Sequence, residues 1–362
     1  MYIEKVSLTN YRNYETLDLT FGPGVNLILG DNAQGKTNLL ESLYMSAMGR
    51  SFRTNRDQEM IQFGKKFARV EIGAIRNQEK IQIEIKILPG SKKTIRKNKV
   101  TLRRTSELLD SVLIVIFSPE DLKIVKEEPE KRRKFLDREL CQISPAYYDS
   151  WNNYRKILQQ RNAALKEISP DPFLLDLWDV QMARYGARII QDRAKFVAKL
   201  SRYSGDIHNN ITGCKEKLEI RYEPNVEWAE NQQDQEALLY EKIRAHLPVD
   251  LKMRTSGRGP HRDDIGFFIH GMDARAFGSQ GQQRTCALSL KLAELDLIRE
   301  ETGEEAILLL DDVMSELDES RQTFLIETLQ ENQLFITTTD VGESVLSRFP
   351  NANIYHVRNG KV

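Results

Sequence analysis

The sequence has few cysteines and no long apolar run. Its three cysteines, Cys141, Cys214 and Cys286, are far apart, and none stands in a Cys-x-x-Cys pair. This spacing argues against a zinc site, a redox pair or a disulfide framework, and it is typical of a protein in a reducing cytosol. No apolar stretch approaches the roughly 20 residues that cross a bilayer, and the first residues lack the apolar core of a signal peptide. We therefore expect a cytoplasmic protein that does not enter a membrane.

The formal net charge is zero, because 53 lysines and arginines balance 53 aspartates and glutamates. Global charge therefore says nothing about a polyanionic partner, and any such argument depends on local clustering. The length of 362 residues exceeds the size at which one hydrophobic core usually stops growing. Two lobes are expected on this ground.

Hydrophobic periodicity divides the chain into three parts. Residues 1–29 have the pattern of short strands, and residues 69–102 alternate apolar and polar side chains, which predicts an antiparallel layer beside a main sheet. After residue 130, three-to-four spacing predicts two long antiparallel helices, which prolines prevent from extending into a long coiled coil. Strand and helix alternate again from about residue 265. We expect an α/β domain interrupted by a helical lobe with a short arm, with domains at 1–130, 131–256 and 257–362.

A phosphate-binding loop follows the third predicted strand. The residues from Gly30 to Thr37 read GDNAQGKT, which matches GxxxxGK[ST] between a strand and an amphipathic helix. The glycines allow backbone amides to surround phosphate oxygens, Lys36 supplies positive charge at the β- and γ-phosphates, and Thr37 offers a hydroxyl to Mg²⁺. The predicted ATP-binding residues of this loop are Gly30, Asp31, Asn32, Ala33, Gln34, Gly35, Lys36 and Thr37.

Two carboxylates stand at the end of a continuous apolar strand, Ala306 to Leu310. Such a run is expected of a central parallel strand, and its carboxyl end is where ligands bind in α/β sheets. Together with the phosphate-binding loop, these carboxylates predict a magnesium site. Asp311 is the candidate metal ligand, and Asp312 is the candidate catalytic residue that polarises the attacking water, with Lys36 as the second catalytic residue.

A Ser-Gln-Gly turn precedes a further amphipathic helix in the segment FGSQGQQRT, residues 277–285. A serine hydroxyl and free amides at a helix N-terminus can bind an anion, although the same residues can be an ordinary helix cap. In chain order, GDNAQGKT, FGSQGQQ, ILLLDD and SELD resemble Walker A, the signature, Walker B and the D-loop of ABC-type ATPase heads. The resemblance implies that Ser279, Gln280, Gly281 and Gln282 complete the ATP site of a second copy, that Ser315 and Asp318 form the D-loop, and that the chain is an ATP-dependent homodimer.

Two positions depart from the wider ABC pattern. Asp312 is shorter than the glutamate that many heads carry there, and Thr339, within TTTD at 337–340, stands where many have a switch histidine. Because a displacement of about 1 Å in a catalytic group can cost on the order of a hundredfold in rate, we expect slow hydrolysis, with ATP acting as a switch.

Further segments narrow the resemblance to the RecF family of DNA recombination and gap-repair proteins. They are NYRNY at 10–14, IFSPEDL at 116–122, EEPEKRRKFLDREL at 127–140 and GRGPHRDDI at 257–265. The resemblance implies that Arg12 and Asn13 lie near the nucleotide. It also implies a weak, DNA-stimulated ATPase that binds single-stranded DNA and gapped or duplex DNA. Such a protein acts with RecR and RecO in replication, recombinational gap repair and the SOS response. For His261 in the last segment, a structural role and a functional one both stay open.

The residues themselves offer one argument for DNA. Between Arg50 and Arg104, sixteen basic residues stand against five acidic ones. Such a segment can neutralise phosphates in a salt-sensitive, sequence-independent way, but it can equally be a solvated sheet face whose lysines deter edge pairing. No recognition helix or aromatic platform accompanies it, so we expect contacts to the DNA backbone. The candidate DNA-binding residues are Lys92, Lys93, Arg96, Lys97, Lys99, Arg103 and Arg104.

Three other functions share these ATPase motifs. The energy module of a membrane transporter is the main alternative, but its signature usually follows the P-loop by about a hundred residues, whereas Lys36 and Ser279 are 243 residues apart. An SMC-type chromosome organiser needs hundreds of coiled-coil residues, more than this chain can hold. A nuclease with such a head would carry a further carboxylate-rich domain after the motifs. Salt-sensitive, ATP-dependent DNA binding is expected of a RecF-like protein and not of a transporter module, so this measurement distinguishes the two.

Overall fold

The structure is a computed structural model that describes residues 1–109, 111–329, 332–339, 349 and 351–362. Its contacts group the chain into two compact units, one formed by Met1–Leu122 and Glu294–Val362 and the other by Lys123–Ala293. The first unit therefore combines both ends of the chain, and the second is a continuous insertion. Residues 257–293, which the sequence analysis placed with the ATPase head, group here with the insertion.

Strands and helices alternate in the order expected of an interrupted α/β chain. The strands are β1 (Tyr2–Tyr11), β2 (Tyr14–Thr20), β3 (Val25–Leu29), β4 (Ala68–Arg76), β5 (Glu79–Ile87), β6 (Thr94–Lys97), β7 (Val100–Thr101), β8 (Ile114–Phe117), β9 (Leu218–Glu223), β10 (Asp264–Ile269), β11 (Met272–Asp273), β12 (Ile307–Asp311), β13 (Leu334–Thr338) and β14 (Asn353–His356). The helices are α1 (Lys36–Met48), α2 (Pro129–Ile143), α3 (Pro145–Ala164), α4 (Pro172–Thr212), α5 (Gln232–Met253), α6 (Ala274–Phe277), α7 (Gln280–Thr302) and α8 (Glu319–Thr328).

A parallel sheet forms the centre of the first unit, in the strand order β14-β3-β13-β12-β8. All of its pairings are parallel, and every residue of β8 and β12 is buried. This burial explains why both strands are continuous apolar runs. Because the strands are parallel, β3 and β12 bring the phosphate-binding loop and the two aspartates to the same edge of the sheet.

The antiparallel layer predicted from residues 69–102 is present in the same unit. It has the order β2-β1-β4-β5-β6-β7, and the hairpin of β4 and β5 pairs Ala68 with Ile87 at one end and Arg76 with Glu79 at the other. Ile81, Ile83, Ile85 and Ile87 are buried on one face, while the residues between them are exposed or half-buried. The period of two in the sequence thus separates a core face from a solvated face.

The second unit contains the helical lobe and a small sheet of order β11-β10-β9. Helices α3 and α4 form an antiparallel pair, because Arg161 near the end of α3 contacts Asp179 near the start of α4, and Tyr147 near the start of α3 contacts Arg193 further along α4. Pro145 and Pro172 occupy the first helical turns, where a missing N–H costs nothing. With 41 residues, α4 is about 60 Å long, which agrees with a short arm.

Buried ion pairs connect the elements of this unit. Arg193 donates to Asp137 at 2.7 Å and to Asp263 at 3.1 Å, and Arg132 forms two hydrogen bonds with Asp264 at 2.6 and 2.7 Å. These pairs join α2 and α4 to the segment that leads into β10, so the two family-like segments at 127–140 and 257–265 meet in one network. Across the described residues, no helix is both long and apolar enough to span a bilayer.

Candidate nucleotide site and basic surface

The phosphate-binding loop has a backbone conformation that only glycine tolerates at two positions. Gly35 has a φ of 121°, and an added Cβ would lie 2.6 Å from the Asn13 side-chain nitrogen. At Gly30, with a φ of 156°, a Cβ would lie 2.3 Å from the carbonyl oxygen of Val357. Asp31, Asn32 and Ala33 are exposed between them. The loop therefore depends on glycine at both ends and is exposed in its middle, as a loop that binds phosphate through its backbone amides requires.

Lys36 begins α1 and turns its side chain back over the loop. Its Nζ donates to the carbonyl oxygens of Gly30 and Asp31, and the residue is 7% exposed. Burial lowers the pKa of Lys36, and the nearby carboxylates Asp312, Asp311 and Asp31 oppose this shift. The ammonium group is thus held at the loop and is available to an incoming phosphate.

Asp311 lies at the centre of the site. Its Oδ1 accepts hydrogen bonds from Thr37 Oγ1 at 2.8 Å and from Thr337 Oγ1 at 2.9 Å. Burial raises the pKa of Asp311, whereas the two threonine hydroxyls lower it. The hydroxyl and carboxylate oxygens of Thr37 and Asp311 converge as the ligand chemistry of Mg²⁺ requires, so these residues fit that ion.

Asp312 has an unusual backbone. Its φ of 55° lies in the left-handed region, which costs a residue other than glycine on the order of 1–3 kcal/mol. Its N–H donates to Thr337 Oγ1 at 2.9 Å, and its carbonyl oxygen accepts from Ser315 Oγ at 2.8 Å. Strand β12 ends at Asp311, and the left-handed backbone of Asp312 interrupts its extended conformation. Thr339 is exposed at the end of the neighbouring strand, and Asp340 lies outside the described residues.

The turn between β1 and β2 supports the loop from one side. Asn13 donates its side-chain amide to the Gln34 carbonyl at 2.8 Å, and Tyr14 donates its hydroxyl to the Gly35 carbonyl at 3.0 Å. Arg12 instead contacts Glu41 of α1 through two hydrogen bonds of 2.7 and 2.8 Å. The family-like segment at 10–14 therefore fixes the loop and the first turns of α1.

The C-terminal segment supports the loop from the other side. Gly360 donates its N–H to the Gln34 carbonyl at 3.1 Å, and Asn359 donates its N–H to Gln34 Oε1 at 2.7 Å. Periodicity and motifs gave no signal for these contacts, nor for those of Glu41, because each depends on a pairing between distant parts of the chain.

The signature residues lie in the second unit, at the start of α7. Ser279 and Gln282 form a reciprocal cap, in which the Ser279 N–H donates to Gln282 Oε1 at 2.8 Å and the Gln282 N–H donates to Ser279 Oγ at 3.2 Å. Ser279 and Gln280 are exposed, and Gly281 and Gln282 are half-buried. The segment is thus a helix cap, in which Ser279 Oγ accepts a hydrogen bond from the backbone of Gln282.

The D-loop residues lie beside the acidic strand end in the first unit. Ser315 contacts the backbone of Asp312, as described above. Asp318 caps α8 by accepting from the Arg321 N–H at 3.0 Å and from Ser320 Oγ at 2.8 Å. Ser315 is therefore hydrogen-bonded to the candidate catalytic residue Asp312, and Asp318 caps the helix that follows.

The seven candidate DNA-binding residues differ in their surroundings. Lys93 pairs with Asp57 at 2.8 Å, and Arg96 pairs with Glu84 at 3.4 Å. No ion pair with the described residues forms at the other five, which lie around β6 and β7 and are mostly exposed. They are Lys92, Lys97, Lys99, Arg103 and Arg104.

His261 is held inside the second unit. Its Nδ1 lies 2.7 Å from the Tyr154 hydroxyl, and its Nε2 lies 2.9 Å from the Ser256 carbonyl oxygen. Burial lowers its pKa to about 4. Both ring nitrogens therefore have partners within this unit, which favours the structural role.

The fold and this site define the head of an ABC-type ATPase. A family model described as the RecF/RecN/SMC N terminal domain matches residues 2–361. The chain is 45% identical to the DNA replication and repair protein RecF of Alkaliphilus oremlandii, with both chains fully covered, and 43% identical to that of Clostridioides difficile, with 100% and 98% covered. A solved structure of the recombination mediator protein RecF–ATP in the RecFOR pathway has a TM-score of 0.91 at 38% identity, covering 99% of this chain and 96% of that one. The chain belongs to the RecF family.

Proposed function

We propose that this protein is a recombination mediator that binds ATP and closes as a homodimer on DNA. The observation that carries the proposal is the convergence of Lys36, Thr37 and Asp311 on a loop whose backbone only glycine can form. Proteins of the same family have been solved with ATP, and their names place them in DNA replication, repair and the RecFOR pathway. The transporter alternative is not supported by these comparisons.

The residues of the site have different roles in binding and hydrolysing ATP. The loop amides and Lys36 bind the β- and γ-phosphates, while Thr37 and Asp311 would hold Mg²⁺, which neutralises charge that develops on the phosphates. Asp312 orients the attacking water. In a dimer, Ser279 of a second copy donates its hydroxyl to the γ-phosphate, so ATP itself would join the two copies.

Slow hydrolysis follows from the geometry of Asp312. Its side chain is shorter than glutamate, and its strained backbone is held by Thr337 and Ser315, so it cannot readily move closer to the water. ATP then keeps the dimer closed until hydrolysis releases it. The DNA is bound through its phosphates by the five lysines and arginines near β6 and β7 that form no ion pair with the described residues. We propose RecR and RecO as partners, as the family resemblance implies.

Sedimentation tests the nucleotide part of the proposal. Wild type and Lys36→Met are compared with and without ATP and a short gapped DNA. We expect ATP to produce a dimer that binds DNA in the wild type only, and Asp312→Asn to prolong that dimer. A wild-type protein that stays monomeric with ATP would refute the switch.

Salt dependence tests the DNA part. Each phosphate contact to duplex DNA contributes about 0.9 to the slope of log affinity against log salt. Changing Lys92, Lys97, Lys99, Arg103 and Arg104 to glutamine should reduce the steepness of that slope by up to about 4.5. Lys65→Gln is the matched control, because Lys65 is already paired with Glu15 at 2.7 Å. An unchanged slope in the fivefold variant would show that these lysines and arginines only protect a sheet edge.

A further inference from the structure

A hydrogen-bonded chain in the second unit leads from helix α4 to the signature segment. It contains His208 near the end of α4, Glu216 in the following loop and Gln282 in the signature. His208 Nε2 lies 3.1 Å from Glu216 Oε2, and Gln282 Nε2 donates to Glu216 Oε1 at 2.9 Å. The Glu216 carboxylate thus bridges the two side chains, one with each oxygen.

The turn after α4 brings Glu216 back beside this helix. Gly213 and Cys214 both have left-handed backbones, with φ of 61° and 60°, and the Cys214 N–H donates to the Asn209 carbonyl at 2.7 Å. The chain therefore reverses direction within a few residues. As a result, Glu216 meets His208, which lies one turn before the end of α4.

His208 holds the carboxylate in place. Its side chain is fully buried, and that of Glu216 is 22% exposed. Its other nitrogen, Nδ1, lies 3.3 Å from the hydroxyl of Ser289, which itself donates to the Thr285 carbonyl at 2.8 Å. The imidazole ring is therefore fixed on both sides, by α7 and by Glu216.

Glu216 in turn fixes the orientation of Gln282. The Gln282 amide has two ends, and its oxygen accepts from the Ser279 N–H while its nitrogen donates to Glu216. If the amide turned over, its nitrogen would face the Ser279 N–H and its oxygen would face a carboxylate. Glu216 therefore permits only the orientation that closes the cap around Ser279.

We propose that Glu216 is a positioning residue for ATP hydrolysis: through Gln282 it aims the Ser279 hydroxyl at the nucleotide bound by a second copy. This inference rests on the proposed function, because only a site shared between two copies gives Ser279 a phosphate to meet. Glu216 touches no nucleotide in this arrangement. It acts on the partner's ATP through the signature.

The first test compares Glu216→Ala with Glu216→Gln. The alanine variant loses the acceptor for Gln282, so ATP hydrolysis should fall by about tenfold, because a catalytic group that is displaced by a fraction of an ångström loses rate steeply. The glutamine variant keeps an amide oxygen and should retain most of the activity. Binding of a fluorescent ATP analogue to separated subunits should be unchanged in both. Wild-type hydrolysis in Glu216→Ala would overturn the proposal.

Glu219→Gln is the matched control. Glu219 lies three residues further along the same segment, but its exposed side chain pairs with Arg221 of the same strand. Its hydrolysis rate should equal that of the wild type. If Glu216→Ala does not fold, Gln282→Ala removes the same hydrogen bond from the other side. The variant that combines Gln282→Ala with Glu216→Gln should then hydrolyse ATP no more slowly than Gln282→Ala alone.

Mixed dimers separate an effect on the partner's site from an effect on the chain's own site. When Glu216→Ala is mixed with Lys36→Met, one site of the mixed dimer carries both defects and the other carries none. Hydrolysis of the mixture should rise above that of either variant alone, because only the mixed dimer has one intact site. Ser279→Arg mixed with Lys36→Met calibrates this recovery.

The outcomes of the mixing experiment separate the two proposals. Recovery with both Ser279→Arg and Glu216→Ala supports the positioning role. Recovery with Ser279→Arg alone overturns the role of Glu216 and leaves the shared ATP site standing. Recovery with neither overturns the shared site itself, and the role of Glu216 with it.

Discussion

Replacing Glu41 by glutamine should destabilise the ATP-binding unit. The Glu41 side chain is fully buried in α1, and its carboxylate accepts from Arg12 at 2.7 and 2.8 Å, from the Tyr11 hydroxyl at 3.0 Å and from Ser51. These hydrogen bonds lower the pKa of Glu41 against the opposing effect of burial. Glutamine has nearly the same shape but no charge, so the variant removes the ion pair without opening a cavity.

The expected loss in the free energy of unfolding follows from the burial of Glu41 and Arg12. Breaking a buried ion pair by removing one partner costs about 3–5 kcal/mol. The Arg12 side chain is 17% exposed and can regain some hydration, and the amide oxygen of glutamine still accepts one hydrogen bond. We therefore expect a loss of about 2–3 kcal/mol in the free energy of unfolding. ATP affinity should also fall, because Arg12 precedes Asn13, which holds the phosphate-binding loop.

Urea unfolding at several pH values is the assay. Since the pKa of Glu41 is lower in the folded than in the unfolded state, its stabilising contribution is complete above the unfolded pKa of about 4.3 and is lost as the pH falls through the folded pKa. The difference between wild type and variant should be constant from pH 7 to 5 and shrink below about pH 4.3. Glu15→Gln is the control, because Glu15 is exposed and should show no measurable change.

Two results would refute this reasoning. Equal urea midpoints for wild type and Glu41→Gln at pH 7 would mean that the pair contributes nothing to stability. A difference that stays constant down to pH 3 would mean that the charge of Glu41 is not its cause.

Three further predictions concern other parts of the molecule. Gly35→Ala should abolish ATP binding and cost at least about 1–3 kcal/mol through its left-handed backbone, whereas Gly64→Ala, which has open space around it, should bind ATP normally in the same assay. Arg161→Met should destabilise the second unit by about 3–5 kcal/mol at pH 7, because it removes the ion pair from two buried carboxylates. Burial raises the pKa of Asp179, one of the two, so urea midpoints should show a smaller loss at lower pH. His261 has a folded pKa of about 4, below its unfolded value, so its contribution to stability is present at pH 7 and is lost as the pH falls from about 6.5 towards 4. Thermal unfolding of His261→Gln should show a weaker pH dependence over that range.

The sequence predicts the parts of the ATP site that are local. Eight consecutive residues make the phosphate-binding loop, and the continuous apolar run of β12 places Asp311 at the same edge of the sheet, where it meets Thr37. Strand periodicity also separates the two faces of β5 correctly. These features depend on neighbours within a few residues or on the direction of a single strand.

The contacts that position this site are different, because they join distant residues. Thr337 holds Asp311 and Asp312 from another strand, and Glu41 meets Arg12 across 29 positions. Neither residue type is unusual at its place, so no local pattern marks it. The same is true of Glu216, whose partners His208 and Gln282 come together only after the chain reverses at Gly213. The grouping of the chain is also non-local, because its limit at Ala293 falls inside α7 and no loop or proline marks it.

Counting charges in the sequence does not show which lysines and arginines are paired with carboxylates, as the basic segment at 50–104 illustrates. Its sixteen basic residues outnumber five acids, but the acids are not placed at random. Glu84 sits between Arg69 at 3.1 Å and Arg96 at 3.4 Å on the solvated face of the sheet, and Glu71 pairs with Arg69 as well. Around Glu84 the charges of this face thus cancel, whereas the five lysines and arginines around β6 and β7 form no ion pair with the described residues. DNA phosphates release the most counterions where lysines and arginines have no carboxylate nearby, so the region around β6 and β7, and not the broad face, is where DNA should bind.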